Sequence, residues 1–265
     1  MKQYLLTFVA MLLIAMLSAQ PFIVPIGRNP GIGTYSRHFQ DVMTAWTNPA
    51  GLSCLPLLTA GIYAENRFLL KATPLYVAMI AVPVHTGAFG LSLARFGNTA
   101  YHQQKISAAY GLPLGRKIGI GLQLNYEAIA VQGFGTSGMP GFDAGLLWHM
   151  NEKLHTGLHV LRSAYMPVVY SAGVGFEASP DFLLTAEVMG TGTNDIYIKA
   201  ATYYRIVQSL ALQLGVASRP PYNNAAVIFH VHALQIAVAA SFHPQLGITP
   251  STTLIWQLSS QPVAE

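Results

Sequence analysis

Apolar residues recur at every second position through most of this chain. Across Ile118–Glu127, Ile118, Ile120, Leu122, Leu124 and Tyr126 share one face, and Gly119, Gly121, Gln123, Asn125 and Glu127 the other. A helix would scatter that set, because helical faces repeat every ~3.6 residues and strand faces every second one. Leu210, Leu212, Leu214 and Val216 alternate in the same way with Ala211, Gln213, Gly215 and Ala217. So do Phe182, Leu184, Ala186 and Val188 against Thr185 and Glu187, and Tyr170, Ala172, Val174 and Phe176 against their neighbours. From residue 56 onward the pattern predicts a succession of β-strands.

Compact breaks interrupt the strands at 111–117, Asn151–Lys153, Ser179–Asp181 and Ile206–Gln208. Looser Gly/Pro stretches alternate with them, at Val131–Pro140, Ser163–Pro167, Gly190–Asp195 and Arg219–Asn224. Short turns on one side and longer loops on the other are the signature of a transmembrane antiparallel β-barrel. Strands of roughly ten residues and connections of about five predict about fourteen strands in an all-β fold. Twelve is the alternative, because 67–84 and 223–242 divide in more than one way. One register also follows. If His149, His155 and His159 face the lumen and Trp148 the lipid, the Asn151 turn holds an odd number of residues, three by preference.

Composition says where such a sheet belongs. Only 9% of the residues are charged and 52% are hydrophobic, against roughly a quarter charged in an ordinary soluble domain. A soluble enzyme could not cover its surface with so few charges, and a disordered chain would be richer in them. After residue 20 no apolar run reaches the ~20 residues a spanning helix needs, which leaves a closed barrel. The less apolar strand face is mostly Gly, Ala and Ser, unlike the charged outer face of a soluble sandwich. An open porin needs a more polar interior, so the lumen is expected to be narrow or plugged. The net charge is +4, but the basic residues are scattered, and nucleic acid is excluded as a partner.

Residues 1–19 read as a secretory signal: Lys2, an apolar stretch Leu5–Leu17, then Ser18-Ala19 before the cleavage point. No cysteine follows to mark a lipoprotein, and Cys54, the only cysteine, excludes a disulfide framework. The expected organisation is signal 1–19, plug or hatch-like segment 20–55, barrel 56–258 and tail 259–265. Tyr35–Trp46 suits two or three helical turns, with Phe39, Val42, Met43 and Trp46 near one side as a lumen plug. It stops at Asn48-Pro49, since a residue before proline leaves the helical region.

Asp41, Ala45-Trp46 and then Asn48-Pro49-Ala50-Gly51-Leu52 resemble the entry motif of the FadL-type fatty-acid transporter superfamily. They also resemble the PorV/PorQ barrels of type IX secretion, as does His243–Pro250 followed by a strand at Thr253–Leu258. The motif spans about a dozen residues, whereas the resemblance in architecture covers nearly the whole chain. The FadL resemblance implies a roughly fourteen-stranded barrel with an amino-terminal hatch. The chain is short for either family, so large outer loops and an elaborate hatch are not expected. It also ends in Ser259–Glu265 rather than on a terminal aromatic residue. No fatty-acid-binding residue is matched by the resemblance.

Nine histidines raise the question of a metal. His230 and His232 would share a strand face, and His149, His155 and His159 would converge, but no carboxylate or cysteine stands at a supporting spacing. No metal or cofactor is expected. Gly31-Ile-Gly33 and Gly133–Gly138 lack the strand–helix setting and the Lys-Ser/Thr of a phosphate loop. There is no Gly-x-Ser-x-Gly elbow, and no residue stands out as a nucleophile, so the protein is read as non-enzymatic. Arg95, Lys105, Asp143, Glu177, Glu187, Lys199 and Arg205 are expected to point inward and pair. Tyr126, Trp148, Tyr170 and Trp256 suit the lipid interface. The PorV/PorQ resemblance implies an accessory barrel in the outer membrane, partnered by secretion or surface proteins. The FadL resemblance implies the alternative, passage of small hydrophobic molecules.

Overall fold

The computed structural model describes residues 23–29, 31–163, 165, 167–192, 196–219 and 221–258. The expected signal sequence and the tail beyond Leu258 lie outside the described residues. Fourteen antiparallel strands close into one barrel. They are β1 (Thr59–Asn66), β2 (Pro74–Val84), β3 (Gly87–Gly97), β4 (Tyr101–Leu114) and β5 (Ile118–Val131). Next come β6 (Gly135–His149), β7 (Leu154–Arg162), β8 (Val169–Ser179), β9 (Phe182–Thr191) and β10 (Ile196–Val207). The last four are β11 (Leu210–Ser218), β12 (Pro221–Val231), β13 (Leu234–His243) and β14 (Gly247–Gln257). Each strand pairs with its sequence neighbours, and β14 returns to β1 from Thr59↔Gln257 to Glu65↔Ser251. Closure leaves no strand edge unpaired, which a hydrocarbon environment demands.

The two ambiguous stretches resolve into fourteen strands rather than twelve. Residues 67–84 hold a 3-10 turn, Arg67–Leu69, and then β2 alone. Residues 223–242 hold β12 and β13, joined by His232-Ala233, where His232 takes a φ of 52°. His232 therefore sits in a turn and shares no strand with His230.

Because the strand number is even, β1 begins and β14 ends at the same end of the barrel, here the terminal end. Connections there run two to four residues, against two to seven at the far end. The turn after β6 holds to the predicted parity. His149 opposes His155, and the Met150 N–H donates to the Leu154 carbonyl, leaving Asn151–Lys153 at the tip. Val131–Pro140 differs from the expected loose loop. Its residues extend β5 and β6 into a continuous ladder out to Val131↔Gly135, with positive φ at Gly133 and Gly135 making the bend. Arg219–Asn224 is likewise shorter than expected, since β12 begins at Pro221. β14 begins at Gly247, ahead of the expected Thr253.

Most outward positions are apolar on every strand, with Gln104, Arg162 and Thr252 among the exceptions. Exposed aromatic residues gather toward both ends: Phe89, Trp148, Phe176, Tyr204 and Trp256 at the terminal end, and Tyr76, Tyr126 and Tyr170 at the far end. That is the interfacial girdle of a membrane barrel. Arg95 departs from expectation. It shares parity with Leu91 and Leu93 and faces outward with them. The other charges expected to point inward do so.

Candidate functional site

Residues 23–58 run through the lumen with little regular structure. Only Thr44–Thr47 is α-helical, one turn in place of the two or three expected; Ile32–Tyr35 and Pro49–Cys54 are 3-10. The segment is held by the wall rather than by its own backbone ladder. It starts at the far end, reaches the terminal end at Arg37-His38, turns back to mid-barrel, and leaves beside Cys54 into β1.

Inward glycines make this packing possible. An added Cβ at Gly121 would lie 2.2 Å from the Ala50 nitrogen, and one at Gly145 1.8 Å from Asn48 Oδ1. At Gly173 and Gly175 it would strike the ring and carbonyl oxygen of Tyr35. Gly121 opposes Gly145 across β5–β6, and Gly157 opposes Gly173 across β7–β8, so the glycines form a bare patch of wall. The Asn48–Leu52 motif occupies its β5–β6 part, and Tyr35 its β7–β8 part. Asn48 Oδ1 accepts from the Ala50 N–H at 2.9 Å, and its Nδ2 donates to the Leu158 carbonyl at 3.1 Å. Pro49 opens the 3-10 turn, Gly51 packs on Thr44, and Leu52 lies over Gly90 and Gly111.

The four residues expected to form a plug divide between two sectors. Val42 and Met43 are fully buried against Gly61 and Ile255, in an apolar cluster with Leu52, Leu75, Val77, Met79 and Phe96. Trp46 packs against the same cluster and lies beneath Lys105 Nζ, 5.4 Å from its ring centre. Phe39 sits elsewhere, edge-on to Tyr203 at 5.1 Å and below the Arg205 guanidinium. The interior beside β14 and β1–β4 thus holds the larger apolar cluster, while Glu65, Lys105, Ser251 and Thr253 also point into it.

Polar groups secure the segment at three levels. At the far end the buried Glu65 carboxylate accepts from the Ile26 and Gly27 N–H groups at 2.9 and 2.7 Å, and from Tyr63 Oη. Its other oxygen pairs with Arg67 Nε at 2.7 Å. In mid-barrel, Lys105 lies 3.8 Å from Glu127 and 3.9 Å from Asp143, which also accepts from Gln123 and Asn125. Also at mid-barrel height, Tyr35 Oη donates to Glu187 at 2.8 Å, and the third level is the terminal end. Glu177 there takes the Arg37 N–H and His38 Nδ1 from the segment, and lies 3.1 Å from His155 Nε2 on the wall. His155 meets His149 Nδ1 to Nδ1 at 2.9 Å, and His149 Nε2 lies 3.4 Å from Cys54 Sγ. Among the described residues no group of three or more His, Cys, Asp and Glu is arranged to hold a metal ion. His230 faces Tyr203 Oη at 3.3 Å.

Within the segment, Arg28 is buried and its Nε donates to Gln213. Burial holds its basicity below the usual guanidinium range. Burial pushes the Asp41 carboxyl up to about 6, against the opposing pull of Arg28 and the Met43 and Thr44 N–H groups. Burial, then the Glu187 charge, raises the Tyr35 phenol well above its ordinary value. Neither the Glu65 anchor nor the Arg28–Gln213 pair was expected from the sequence. The glycine patch was visible there as parity, without its cause.

No known family profile and no curated protein matches the sequence. Solved structures do match in shape. A Pseudomonas aeruginosa FadL homologue superposes with a TM-score of 0.59 at 12% identity, over 90% of this chain and 98% of that one. The P. putida toluene transporter TodX gives 0.62 at 9% identity, over 91% and 100%. The Ralstonia pickettii toluene transporter TbuX gives 0.61 at 9%, over 86% and 97%. In fold the chain is similar to these FadL-type barrels. The comparisons support that side of the sequence resemblance and lend nothing to PorV/PorQ.

Proposed function

We propose that this chain is a non-enzymatic outer-membrane channel for small hydrophobic molecules, exported by its amino-terminal signal and closed by residues 20–55. The observation that carries the reading is the apolar interior sector. Val42, Met43 and Leu52 of the segment face Leu75, Val77, Met79, Phe96 and Ile255 of the wall. A water-filled porin would line its constriction with charge rings instead. Shape similarity to structures described as toluene transporters and a FadL homologue points the same way.

The wall of this sector is unbroken, with β1 through β4 paired in continuous register. A solute therefore enters at the far mouth, moves along the apolar sector, and leaves at the terminal end when the segment yields. The first step is partition into an apolar site at little cost to the solute; the second is displacement of contacts, and it sets the rate. Secretion or surface proteins are not required by this reading.

Uptake tests it. Cells producing the folded barrel should take up radiolabelled toluene faster than cells lacking it, while uptake of a trisaccharide stays unchanged. Equal toluene uptake, with the barrel shown present by heat-modifiable migration, would sink the channel reading. Recovery of a stoichiometric partner protein from native membranes would favour the secretion role instead.

A further inference from the structure

We infer that the outer wall of β14 and β1–β4 carries a binding site for a phosphorylated lipid of the outer leaflet, the lipid A of lipopolysaccharide. A groove of about 520 Å³ crosses these five strands on the lipid-facing side. Its floor is low because Ala64 and Ala78 stand where neighbouring outward positions carry Ile62, Leu93 and Ile106. Four strand spacings make it about 19 Å wide. Several acyl chains can lie side by side in that width, which suits lipid A better than a two-chain lipid.

The head of the groove is polar. Tyr76, Arg95 and Gln104 are directly opposed across β2, β3 and β4, and all face outward. They stand close to the far-end turn after Gly97, at the level where a headgroup would lie. Lipid A places phosphates at that level, and a guanidinium with a phenol and an amide beside it is suited to bind one.

Charge placement across the molecule agrees. Every acid in the strands, Glu65, Glu127, Asp143, Glu177 and Glu187, faces inward. The outward-facing charges of the described strands are Arg95 and Arg162, both near the far end. Lys71 and Arg219 are exposed in far-end connections. The terminal end exposes both signs, with Arg116, Lys117 and Lys153 among Glu152 and Asp181. The short terminal-end turns mark that end as periplasmic. The exposed positive charges among the described far-end residues then meet the phosphate-rich leaflet, where an outward arginine gains an anionic partner that offsets its cost in the bilayer.

The inference rests on the outer-membrane setting and is independent of channel activity. Native mass spectrometry of the purified full-length barrel, titrated in detergent with lipid A, phosphatidylglycerol or phosphatidylcholine, tests it. Lipid A should remain bound while phosphatidylcholine is shed. Arg95→Gln should weaken lipid A retention by about tenfold or more. Ala78→Phe should do the same by filling the floor without altering charge, and it carries the test alone if Arg95→Gln fails to fold. Arg162→Gln, outside the groove, should retain wild-type binding. Phosphatidylglycerol held as firmly as lipid A, an equal loss in Arg162→Gln, or wild-type retention in Ala78→Phe would each overturn the assignment.

Discussion

At the scale of single residues, fit between the segment and the wall depends on atoms that are missing. A Cβ at Gly121 would meet the Pro49 carbonyl carbon at 2.3 Å as well as the Ala50 nitrogen, and backbone cannot swing aside as a side chain can. Gly121→Val should therefore destabilise docking by about 1–3 kcal/mol, the usual cost of overpacking. Limited proteolysis within residues 31–54 reads this directly, and faster cleavage is expected. Gly192→Ala, at a glycine with open space around it, should match the parent chain. Glu65 makes a complementary case. Its side chain is fully buried, and replacing it with Gln leaves Arg67 without its charge partner. Breaking one side of a buried pair costs about 3–5 kcal/mol. Glu65→Gln should thus expose residues 23–29 to protease while heat-modifiable barrel migration persists; unchanged resistance would show that the anchor is dispensable. Arg95 shows how parity overrides charge. Leu91 and Leu93 fix the face of β3, and a side chain two residues on has to follow them outward.

At the scale of elements, the docked segment carries its own pH dependence. Asp41 ionises near 6 when docked and at an ordinary carboxylate value near 4 when free. The docked state binds the proton more tightly, so docking is strongest below about pH 4 and weakens as pH rises through about 6, by at most about 3 kcal/mol. Arg28 is the charge that faces it and limits the effect. Protease sensitivity of the segment measured from pH 4 to 7 should rise across that window. Asp41→Asn, which keeps an acceptor for the Met43 N–H, should flatten the profile. The strands were readable in the sequence because a two-sided wall imposes period two, and the odd turn at Asn151 followed from face agreement alone. The segment was harder to read. Tyr35–Trp46 has helical spacing, yet its shape is set by contacts far away in sequence, such as Glu177 on Arg37 and His38. Those contacts favour an irregular path over intrinsic helix preference, and no local pattern records them. Asn48–Leu52 was recognisable as a motif, while its seat on the glycine patch needed the closed barrel to bring β5 and β6 beneath it.

At the scale of the whole molecule, two kinds of cohesion coexist and should fail separately. The barrel is a closed ladder of backbone hydrogen bonds from β1 round to β14. Breaking it in a bilayer would leave polar groups unpaired in hydrocarbon. Between residues 23 and 57, by contrast, the described hydrogen bonds to the wall all involve a side chain, as at Glu65, Gln213, Glu177 and Glu187. Urea weakens apolar and polar contacts of this second kind at concentrations that leave a barrel intact. In planar bilayers the intact chain should conduct little, because the segment and the inward side chains occupy the lumen. In a few molar urea, discrete open steps should appear, and they should vanish when the urea is removed. Gly121→Val should shift the onset to lower urea without changing step size, since the pore that opens is the same barrel. A large steady conductance in buffer alone would mean that the segment does not close the lumen. Steps that grow continuously with urea would mean that the wall loosens together with it.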